Sequence, residues 1–319
     1  IDDAVATFKK LSISASEERS IVFDSTEAQG LIKQYSITKV PTYIATGEVT
    51  KNNISGFTKA NGEIKNDTFV FTKIIPIFID PQTKKEMGKV TATILTDPSC
   101  GSCIDPKLTV DAYKKANIKI TDQKEIAWNS PAGQQLISQY KITKVPTFIL
   151  SPEIDLYDNV KANWGRIGTV EQDKTYVARN LFLPYRDLEK NQVLGLVDIV
   201  YLTDSGCANC YDPVKVQKAI LTQGYGVGLR SERTVDVKSA DGQSFISQYK
   251  ITQVPTILLS PDVDQYQSIK AVWPNVGTVE SDGWYVFRKM QQLGNVVYKD
   301  LTTDKVINEA SASASQSNQ

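Results

Sequence analysis

All four cysteines of this 319-residue chain lie in two C-x-x-C clusters, Cys100 to Cys103 and Cys207 to Cys210. Cysteines at this spacing can form a disulfide, exchange it with other thiols, or supply half of a zinc site. The chain has no histidine, which excludes histidine-dependent triads and leaves zinc only if both clusters meet in one tetrahedral site. A redox-active pair is the leading interpretation, with a static disulfide and zinc as open alternatives.

The two cysteines of each cluster are predicted to have different roles. A C-x-x-C at the turn from a strand into a helix places its first sulfur at the helix N-terminus, where unpaired N–H groups favour the thiolate. We therefore predict Cys100 and Cys207 as nucleophiles. Cys103 and Cys210, one turn further on, are the predicted resolving thiols and are expected to be more buried.

The elements that position the cysteines are clearest in the middle of the chain. Apolar and β-branched residues from Val90 to Leu95 predict a strand, and Ile104 to about Ala116 has helical periodicity with Pro106 in the first turn. The elements predicted next are a short strand near 125–128, a helix at 130–140 capped by Ser130, a strand at 147–150 and a hairpin at 168–183. The region around the second cysteine cluster has the same order of elements. Its strands are predicted at 197–202 and 256–259, its helices from about 214 and at 240–249, and its hairpin at 277–288.

The phrase Tyr-x-Ile-Thr-x-Val-Pro-Thr occurs three times, at 35–42, 140–147 and 249–256. Its copies are about 100 residues apart, a period too long for a solenoid, so it predicts tandem domains. A C-x-x-C precedes the second and third copies and not the first. Ile1 aligns with the residue that follows a second cysteine, and we therefore expect a further strand and C-x-x-C upstream.

A strand, a C-x-x-C, a helix and then Val-Pro-Thr opening the next strand resemble the thioredoxin superfamily. The resemblance covers essentially the whole chain and implies an α/β fold of tandem thioredoxin-like domains, each a central mixed β-sheet flanked by helices, with the first domain N-terminally truncated. It also implies a cis bond before each phrase proline and pairing of the preceding valine's backbone with a substrate peptide. The substrate-binding residues so implied are Val40, Pro41, Val145, Pro146, Val254 and Pro255.

The repeats predict four regions along the chain. They are a partial domain at 1–76, complete domains at 77–183 and 184–296, and a connector strand with a disordered tail at 297–319. Related connectors at 77–81, 184–188 and 297–301 are each expected to carry a short strand toward the next region. The tail assignment depends on the Ser/Ala/Asn/Gln-rich composition of 310–319.

The surroundings of the cysteines differ from the family pattern. Ser99 and Gly206 replace its tryptophan, Ile104 and Tyr211 replace its following cation, and Ile94 and Tyr201 stand where its acid is expected. The nearest carboxylates are those of Asp97, Asp204, Asp105 and Asp212. Because nearby negative charge raises a thiol pKa, we expect potentials nearer the about −270 mV of thioredoxin than the about −120 mV of a strong oxidant.

Composition limits the partners. The 36 basic and 36 acidic residues cancel, which argues against nucleic-acid partners. We predict a thiol-disulfide oxidoreductase that uses no cofactor or metal, acts on protein or peptide thiols and disulfides, and works with a redox partner protein. The tandem array, scarce methionine and polar surface favour a location outside the cytoplasm; a membrane tether beyond this chain and self-assembly stay open. The alternative is a non-catalytic extracellular or cell-surface array with permanently oxidised C-x-x-C pairs.

Overall fold

The computed structural model describes residues 2–10, 16–50 and 52–308. Its chain divides into two compact units, Ile1–Ile94 with Lys107–Glu125 and Phe148–Ala178, and Leu95–Pro106 with Ile126–Thr147 and Arg179–Gln319. The domain boundaries predicted at 76/77, 183/184 and 296/297 stay predictions. Ile1 and the predicted tail at 310–319 lie outside the described residues.

The N-terminal part of the first unit contains three helices and five strands among its described residues. They are α1 (Asp2–Lys9), α2 (Thr26–Tyr35), β1 (Ile44–Thr46), α3 (Asn52–Asn61), β2 (Gly62–Lys65), β3 (Thr68–Phe71), β4 (Phe78–Ile79) and β5 (Glu86–Met87). Strand β3 is the centre of a β1-β3-β2 sheet and is buried along its whole length. Helix α2 begins where Ser25 Oγ accepts the N–H of Ala28.

A five-stranded sheet with the order β10-β11-β9-β6-β7 forms the next part of the chain. Its elements are β6 (Val90–Thr96), α4 (Lys107–Lys115), β7 (Ile120–Ala127), β9 (Thr147–Leu150), α6 (Asp158–Lys161), β10 (Gly168–Val170) and β11 (Tyr176–Ala178). Trp164, Phe148 and Tyr176 pack edge to face in its core. The predicted strands at 90–95 and 147–150 and the hairpin are confirmed, whereas β7 is longer than the strand predicted at 125–128.

The second unit contains α5 (Pro131–Tyr140), β8 (Lys144–Val145), β12 (Tyr185–Asp187) and β13 (Gln192–Leu194). The predicted cap of α5 is confirmed, because Ser130 Oγ accepts the N–H of Gly133. A Cβ on Gly133 would lie 2.2 Å from the Ala127 carbonyl oxygen, so only glycine fits there. Strands β13-β12-β8 form a small sheet.

The rest of the second unit repeats the strand order of the previous five-stranded sheet. Its elements are β14 (Leu196–Thr203), α7 (Pro213–Ala219), β15 (Gly228–Asp236), α8 (Ala240–Tyr249), β16 (Gln253–Val254), β17 (Thr256–Leu259), α9 (Gln267–Val272), β18 (Gly277–Val279), β19 (Tyr285–Phe287), β20 (Val297–Asp300) and β21 (Lys305–Asn308). The sheet orders are β15-β14-β17-β19-β18 and β16-β20-β21. The sequence predicted no strand at β15, because most of this strand is exposed and polar and lacks apolar alternation.

Each predicted connector strand is the first strand of a hairpin, and we call β4, β12 and β20 the connector strands. They pair antiparallel with β5, β13 and β21. In each turn an aspartate side chain accepts two backbone N–H groups, and the residue four positions later has a positive φ. These aspartates are Asp80, Asp187 and Asp300, and the positive-φ residues are Lys84, Asn191 and Asp304.

Candidate functional site

We call Cys100, Cys103 and Asp97 the first site, and Cys207, Cys210 and Asp204 the second site. Each cysteine pair forms a disulfide with a Cα–Cα distance of 5.4 Å. The first cysteine donates its N–H to the aspartate carbonyl three residues earlier, at 3.1 Å in the first site and 3.0 Å in the second. The second cysteine donates to the carbonyl of the first at 3.2 Å in both sites. Two consecutive turns thus present each disulfide.

The predicted position of the first sulfur at a helix N-terminus is wrong in both sites. Helix α4 begins at Lys107 and α7 at Pro213, several residues after the second cysteine. An Asp-Pro pair follows each cluster, and proline excludes the residue before it from helical geometry. Asp212 accordingly has φ −89° and ψ 109° and caps α7. Helix-dipole stabilisation of a thiolate, which falls off within the first turn, therefore does not act on these cysteines.

The predicted burial of the second cysteine is also wrong. Cys100 and Cys207 are each only 9% exposed, whereas Cys103 and Cys210 are partly exposed. The reason is local, because the first cysteine follows directly on the turn held by the buried aspartate and the second lies at the end of the outer turn. The nucleophile and resolving roles stay predictions.

The prolines of the second and third phrases each lie between two short strands, β8 and β9 or β16 and β17. The bonds Val40–Pro41, Val145–Pro146 and Val254–Pro255 are cis. Val145 and Val254 are fully buried. In the third copy, the threonine after the proline is fully buried and its hydroxyl donates to the Phe287 carbonyl at 2.5 Å.

The edge beside each cis proline is paired with a connector strand. Val40 and Ile79 exchange both backbone hydrogen bonds, at 3.0 and 2.7 Å. Val145 lies opposite Arg186 in the ladder of β8 and β12, and Val254 lies opposite Lys299 in that of β16 and β20. The valine backbones implied in substrate binding are therefore bonded to the protein's own chain.

The same connector strands also contact the cysteine turns. In the first site the N–H of Ile104 donates to the Pro184 carbonyl at 3.4 Å, and in the second the N–H of Tyr211 donates to the Val297 carbonyl at 2.9 Å. Ile104 and Tyr211 directly follow the second cysteines. Strand β12 together with the preceding Pro184, and strand β20, thus bridge the cysteine turn and the valine–proline edge of their sites.

The Asp97 side chain is fully buried. Its Oδ1 accepts from Ser99 N–H at 3.1 Å, Ser99 Oγ at 2.6 Å and Trp128 Nε1 at 3.1 Å, and its Oδ2 accepts from Arg186 Nε at 2.7 Å. Burial alone would raise the pKa of Asp97, but the hydrogen bonds from Ser99 and Arg186 outweigh it and hold this pKa below its usual value. Asp97 is therefore an ionised carboxylate at neutral pH.

Asp204 has the same position in the second site and is also buried. Its carboxylate accepts the N–H of Gly206 at 2.7 Å and pairs with Lys299 Nζ at 3.1 Å. Lys238 Nζ lies 3.9 Å away. Burial would raise the pKa of Asp204, but the Gly206 hydrogen bond and the Lys299 ammonium together lower it. Both sites therefore hold a buried negative charge neutralised from a connector strand.

One carboxylate oxygen of Asp97 lies within 4.8 Å of both sulfurs of the first site. A carboxylate and two cysteines can bind a metal only when the sulfurs are thiolates. In the disulfide form they are not, and Arg186 already neutralises the carboxylate. The arrangement instead places the Asp97–Arg186 ion pair next to a reducible bond.

Residues after the second cysteine differ between the sites. The Tyr211 hydroxyl is 2.9 Å from the Pro255 carbonyl oxygen and 3.1 Å from Gln217 Oε1, and burial raises the pKa of Tyr211. Ile104 is 43% exposed. Tyr211 thus links the cysteine turn to the cis proline in the second site, and Ile104 leaves the first site more open.

Arg186 and Lys299 are site residues that were not predicted from the sequence. A signal was present, because the connectors contain Tyr-Arg-Asp-Leu at 185–188 and Tyr-Lys-Asp-Leu at 298–301. A basic residue at the same position in both copies could have been assigned to the carboxylate of each site. Trp128 is not repeated in this way, because Val237 occupies the matching position in the third copy.

No protein-family model and no curated protein matches the chain. Among solved structures, it is similar to the NTD_N/C domain of alkylhydroperoxide reductase AhpF from Enterococcus faecalis, at 18% identity over 55% of this chain and 83% of that one, with a TM-score of 0.17. A protein disulfide oxidoreductase from Aeropyrum pernix matches at 13% identity over 55% and 77%, with a TM-score of 0.17. Full-length ERdj5 matches at 10% identity over 72% and 34%, with a TM-score of 0.18. TM-scores this low do not establish a shared fold.

Proposed function

We propose that the chain exchanges thiols and disulfides with protein or peptide substrates at the first and second sites. The observation that carries the proposal is the repeated constellation: a C-x-x-C disulfide in a turn, a buried aspartate three residues before it, and one connector strand that pairs with the nearby valine and contacts the same turn. A disulfide with only a structural role needs none of these neighbouring groups. Their occurrence in two copies supports a shared chemical role.

The exchange is balanced in two steps. A substrate thiolate attacks one sulfur of the disulfide, forming a mixed disulfide and releasing the other cysteine as a thiolate, which takes up a proton. The second substrate thiolate then attacks the substrate sulfur of the mixed disulfide and releases the remaining cysteine. The substrate dithiol loses two electrons and two protons, and the C-x-x-C gains them; the reverse sequence reduces a substrate disulfide.

The Asp97 carboxylate, although paired with Arg186, is the charge that we propose favours the reducing direction at the first site. Asp97 within 4.8 Å of both sulfurs disfavours a thiolate there, and the helix dipole does not offset it. Destabilising the thiolate makes the dithiol a better electron donor and lowers the reduction potential. We propose reduction of substrate disulfides, with electrons from a redox partner protein.

Single-cysteine variants test the exchange directly. With a peptide that carries an intramolecular disulfide, C103S and C210S are expected to accumulate a mixed disulfide if Cys100 and Cys207 are the attacking sulfurs, because the attacking thiolate displaces one peptide cysteine as a thiolate that takes up a proton. C100S and C207S are the matched controls and are expected to accumulate none. Turnover of a peptide disulfide by the unaltered chain, measured by mass spectrometry, must also be seen. Absence of turnover together with absence of any trapped species would contradict the proposal.

The tandem arrangement of the modules and the location of the protein are part of the same proposal. The repeated strand order of the two five-stranded sheets supports tandem thioredoxin-like modules. We also propose a location outside the cytoplasm, where a resting disulfide is compatible with the oxidising environment. Among the described residues, no helix has the length and apolar character needed to cross a bilayer.

A further inference from the structure

Strands β12 and β20 each occupy a continuous backbone edge beside one disulfide. The N–H of Leu188 donates to the Thr143 carbonyl at 2.8 Å, and the N–H of Leu301 donates to the Thr252 carbonyl at 2.8 Å. Hydrogen-bonded pairs recur at every second residue of an antiparallel ladder. The backbone groups of Val145 and Val254 are therefore taken by Arg186 and Lys299.

The basic side chains of the connector strands reach the site carboxylates. Arg186 donates from Nε to Asp97 and from Nη2 to Ser99 Oγ, each at 2.7 Å. Ser99 immediately precedes Cys100. In the second site, Lys299 pairs with Asp204 at 3.1 Å and with Asp304 at 2.7 Å. Each strand is thus held by its backbone and by one ion pair next to the cysteines.

An extended peptide that pairs with the backbone of Val145 or Val254, as the resemblance of the sequence implies, would need the same groups. It would pair with the edge at 143–145 or 252–254 and pass beside Ile104 or Tyr211, where the connector strand now lies. Strand addition to an edge requires free backbone donors and acceptors. The connector strand and an incoming peptide therefore cannot occupy the edge together.

We propose that β12 and β20 are internal straps that exclude peptide thiols and disulfides from the first and second sites until they are displaced, with the Arg186–Asp97 and Lys299–Asp204 pairs as latches. The proposal rests on the proposed function and adds a regulatory step to it. It also assigns a substrate preference, because an extended segment with a basic side chain at the Arg186 or Lys299 position can replace the latch. A segment without that cation leaves the buried carboxylate unpaired.

The strap distinguishes large from small reductants. A peptide thiol reaches the sulfur only from the open state, so its observed rate scales with the open-state population. A small phosphine needs no strand edge and reaches the partly exposed Cys103 in the closed state. Weakening the strap is expected to accelerate the peptide reaction selectively.

The first site can be tested in the full chain with C207S/C210S, which leaves one reducible disulfide. L188P removes the Leu188 N–H that bonds Thr143 without touching Asp97, and L188A is its matched control because it keeps that N–H. R186Q removes the latch. Each variant is reduced with a two-cysteine peptide and, separately, with tris(2-carboxyethyl)phosphine, and the rate is followed by alkylation and mass spectrometry.

We expect L188P to react at least about fivefold faster with the peptide, since one backbone hydrogen bond is lost, and R186Q about tenfold faster. L188A with either reductant, and L188P with the phosphine, should stay within about twofold of the parent. Hydrogen exchange at the Ile104 amide reports strap opening independently. Faster exchange at Ile104 with an unchanged peptide rate, or equal acceleration by both reductants, overturns the strap.

The outcomes separate this inference from the proposed function. If the parent already reacts with the peptide as fast as the opened variants, exchange stands and the strap fails. If no variant reacts with the peptide although Ile104 exchange shows opening, the proposed function itself fails. R186Q with exchange monitoring keeps the test decisive if L188P does not fold.

Discussion

The first and second sites hold the same buried carboxylate in different ways. Asp97 is held by the planar fork of Arg186, whose side chain is 14% exposed, bonds Ser99 as well and lies 5.5 Å over the Trp128 ring. Asp204 is held by Lys299, which is shared with Asp304. A guanidinium fixes direction as well as charge, whereas an ammonium is a point charge on a flexible stem. The first site is therefore the more rigidly latched of the two.

The residues around the aspartate follow the same division. Ser99 supplies a hydroxyl to Asp97, and the matching Gly206 supplies only its N–H to Asp204. The second site has its extra contact elsewhere, where Tyr211 links the cysteine turn to the Pro255 carbonyl. The cysteine turn of the first site is thus stabilised by extra contacts at the aspartate before the cysteines. That of the second site is stabilised by the residue after them.

The largest expected effect is on stability, from R186Q compared with K299Q. R186Q leaves Asp97 buried without its cation, and breaking one side of such a pair costs about 3 kcal/mol. K299Q should cost less, because Asp204 keeps the Gly206 hydrogen bond and has Lys238 nearby. Urea denaturation measures the free energy of unfolding of both variants.

The control for this prediction is D97N/R186Q, which removes the buried charge together with its partner. It should recover a large part of the loss caused by R186Q alone. Equal losses from R186Q and K299Q would remove the contrast between the two latches.

The next effect is on the reduction potential of the first site. D97N removes a negative charge within 4.8 Å of both sulfurs, which stabilises the thiolate and raises the potential. A change of one unit in thiol pKa corresponds to about 1.4 kcal/mol, or about 30 mV for two electrons. D204N should act in the same direction on the second site and leave the first unchanged. A potential that falls in D97N would contradict the assigned electrostatics.

A smaller effect is expected from Y211F, which sharpens the difference after the second cysteine. The variant keeps the buried ring and loses the hydroxyl contacts with Pro255 and Gln217. We expect a loss of about 1 kcal/mol in the free energy of unfolding. I104A is the comparison in the first site and should cost less, since Ile104 is 43% exposed. A larger loss from I104A than from Y211F would reverse the comparison.

The smallest effect is the pH dependence of the latches. The pKa of Asp97 and of Asp204 is lowered in the folded protein. Their stabilisation is therefore complete above the unfolded value of about 3.9 and is lost as the pH falls through the folded pKa. The contribution of both carboxylates to stability should be full and independent of pH between pH 7 and 5, and it should decline below about pH 3.9, with a shallower decline in D97N/R186Q. If the free energy of unfolding of D97N/R186Q declines below about pH 3.9 as steeply as that of the parent, the stabilising role of the ionised Asp97 is contradicted.

Local signals in the sequence predicted much of the chain around the sites. Ser130 followed by Pro131 fixed the start of α5, and the apolar runs at 90–95 and 147–150 fixed two strands, because each signal acts within a few residues. The start of α4 was misplaced because periodicity continued through Ile104 and outweighed the Asp-Pro pair in the prediction, whereas the start predicted at about 214 agrees with α7. The polar strand β15 has no apolar pattern to find.

The arrangement of the connector strands could not be predicted in the same way. Their hairpin turns are local, and the repeated Tyr-Arg/Lys-Asp-Leu pattern was visible. Pairing of β12 with β8 depends on contacts between residues far apart in sequence, as in the 89-residue separation of Arg186 and Asp97. Such non-local contacts leave no periodic signal in a single sequence.

A site-resolved redox titration tests the central claim, that both C-x-x-C pairs are exchange sites. The full chain is equilibrated with dithiothreitol or glutathione buffers, alkylated and analysed by mass spectrometry for each cysteine pair. We predict that both disulfides titrate reversibly with two electrons, at potentials between about −200 and −300 mV. Two disulfides that stay oxidised well below about −300 mV, as structural ones do, would contradict the account.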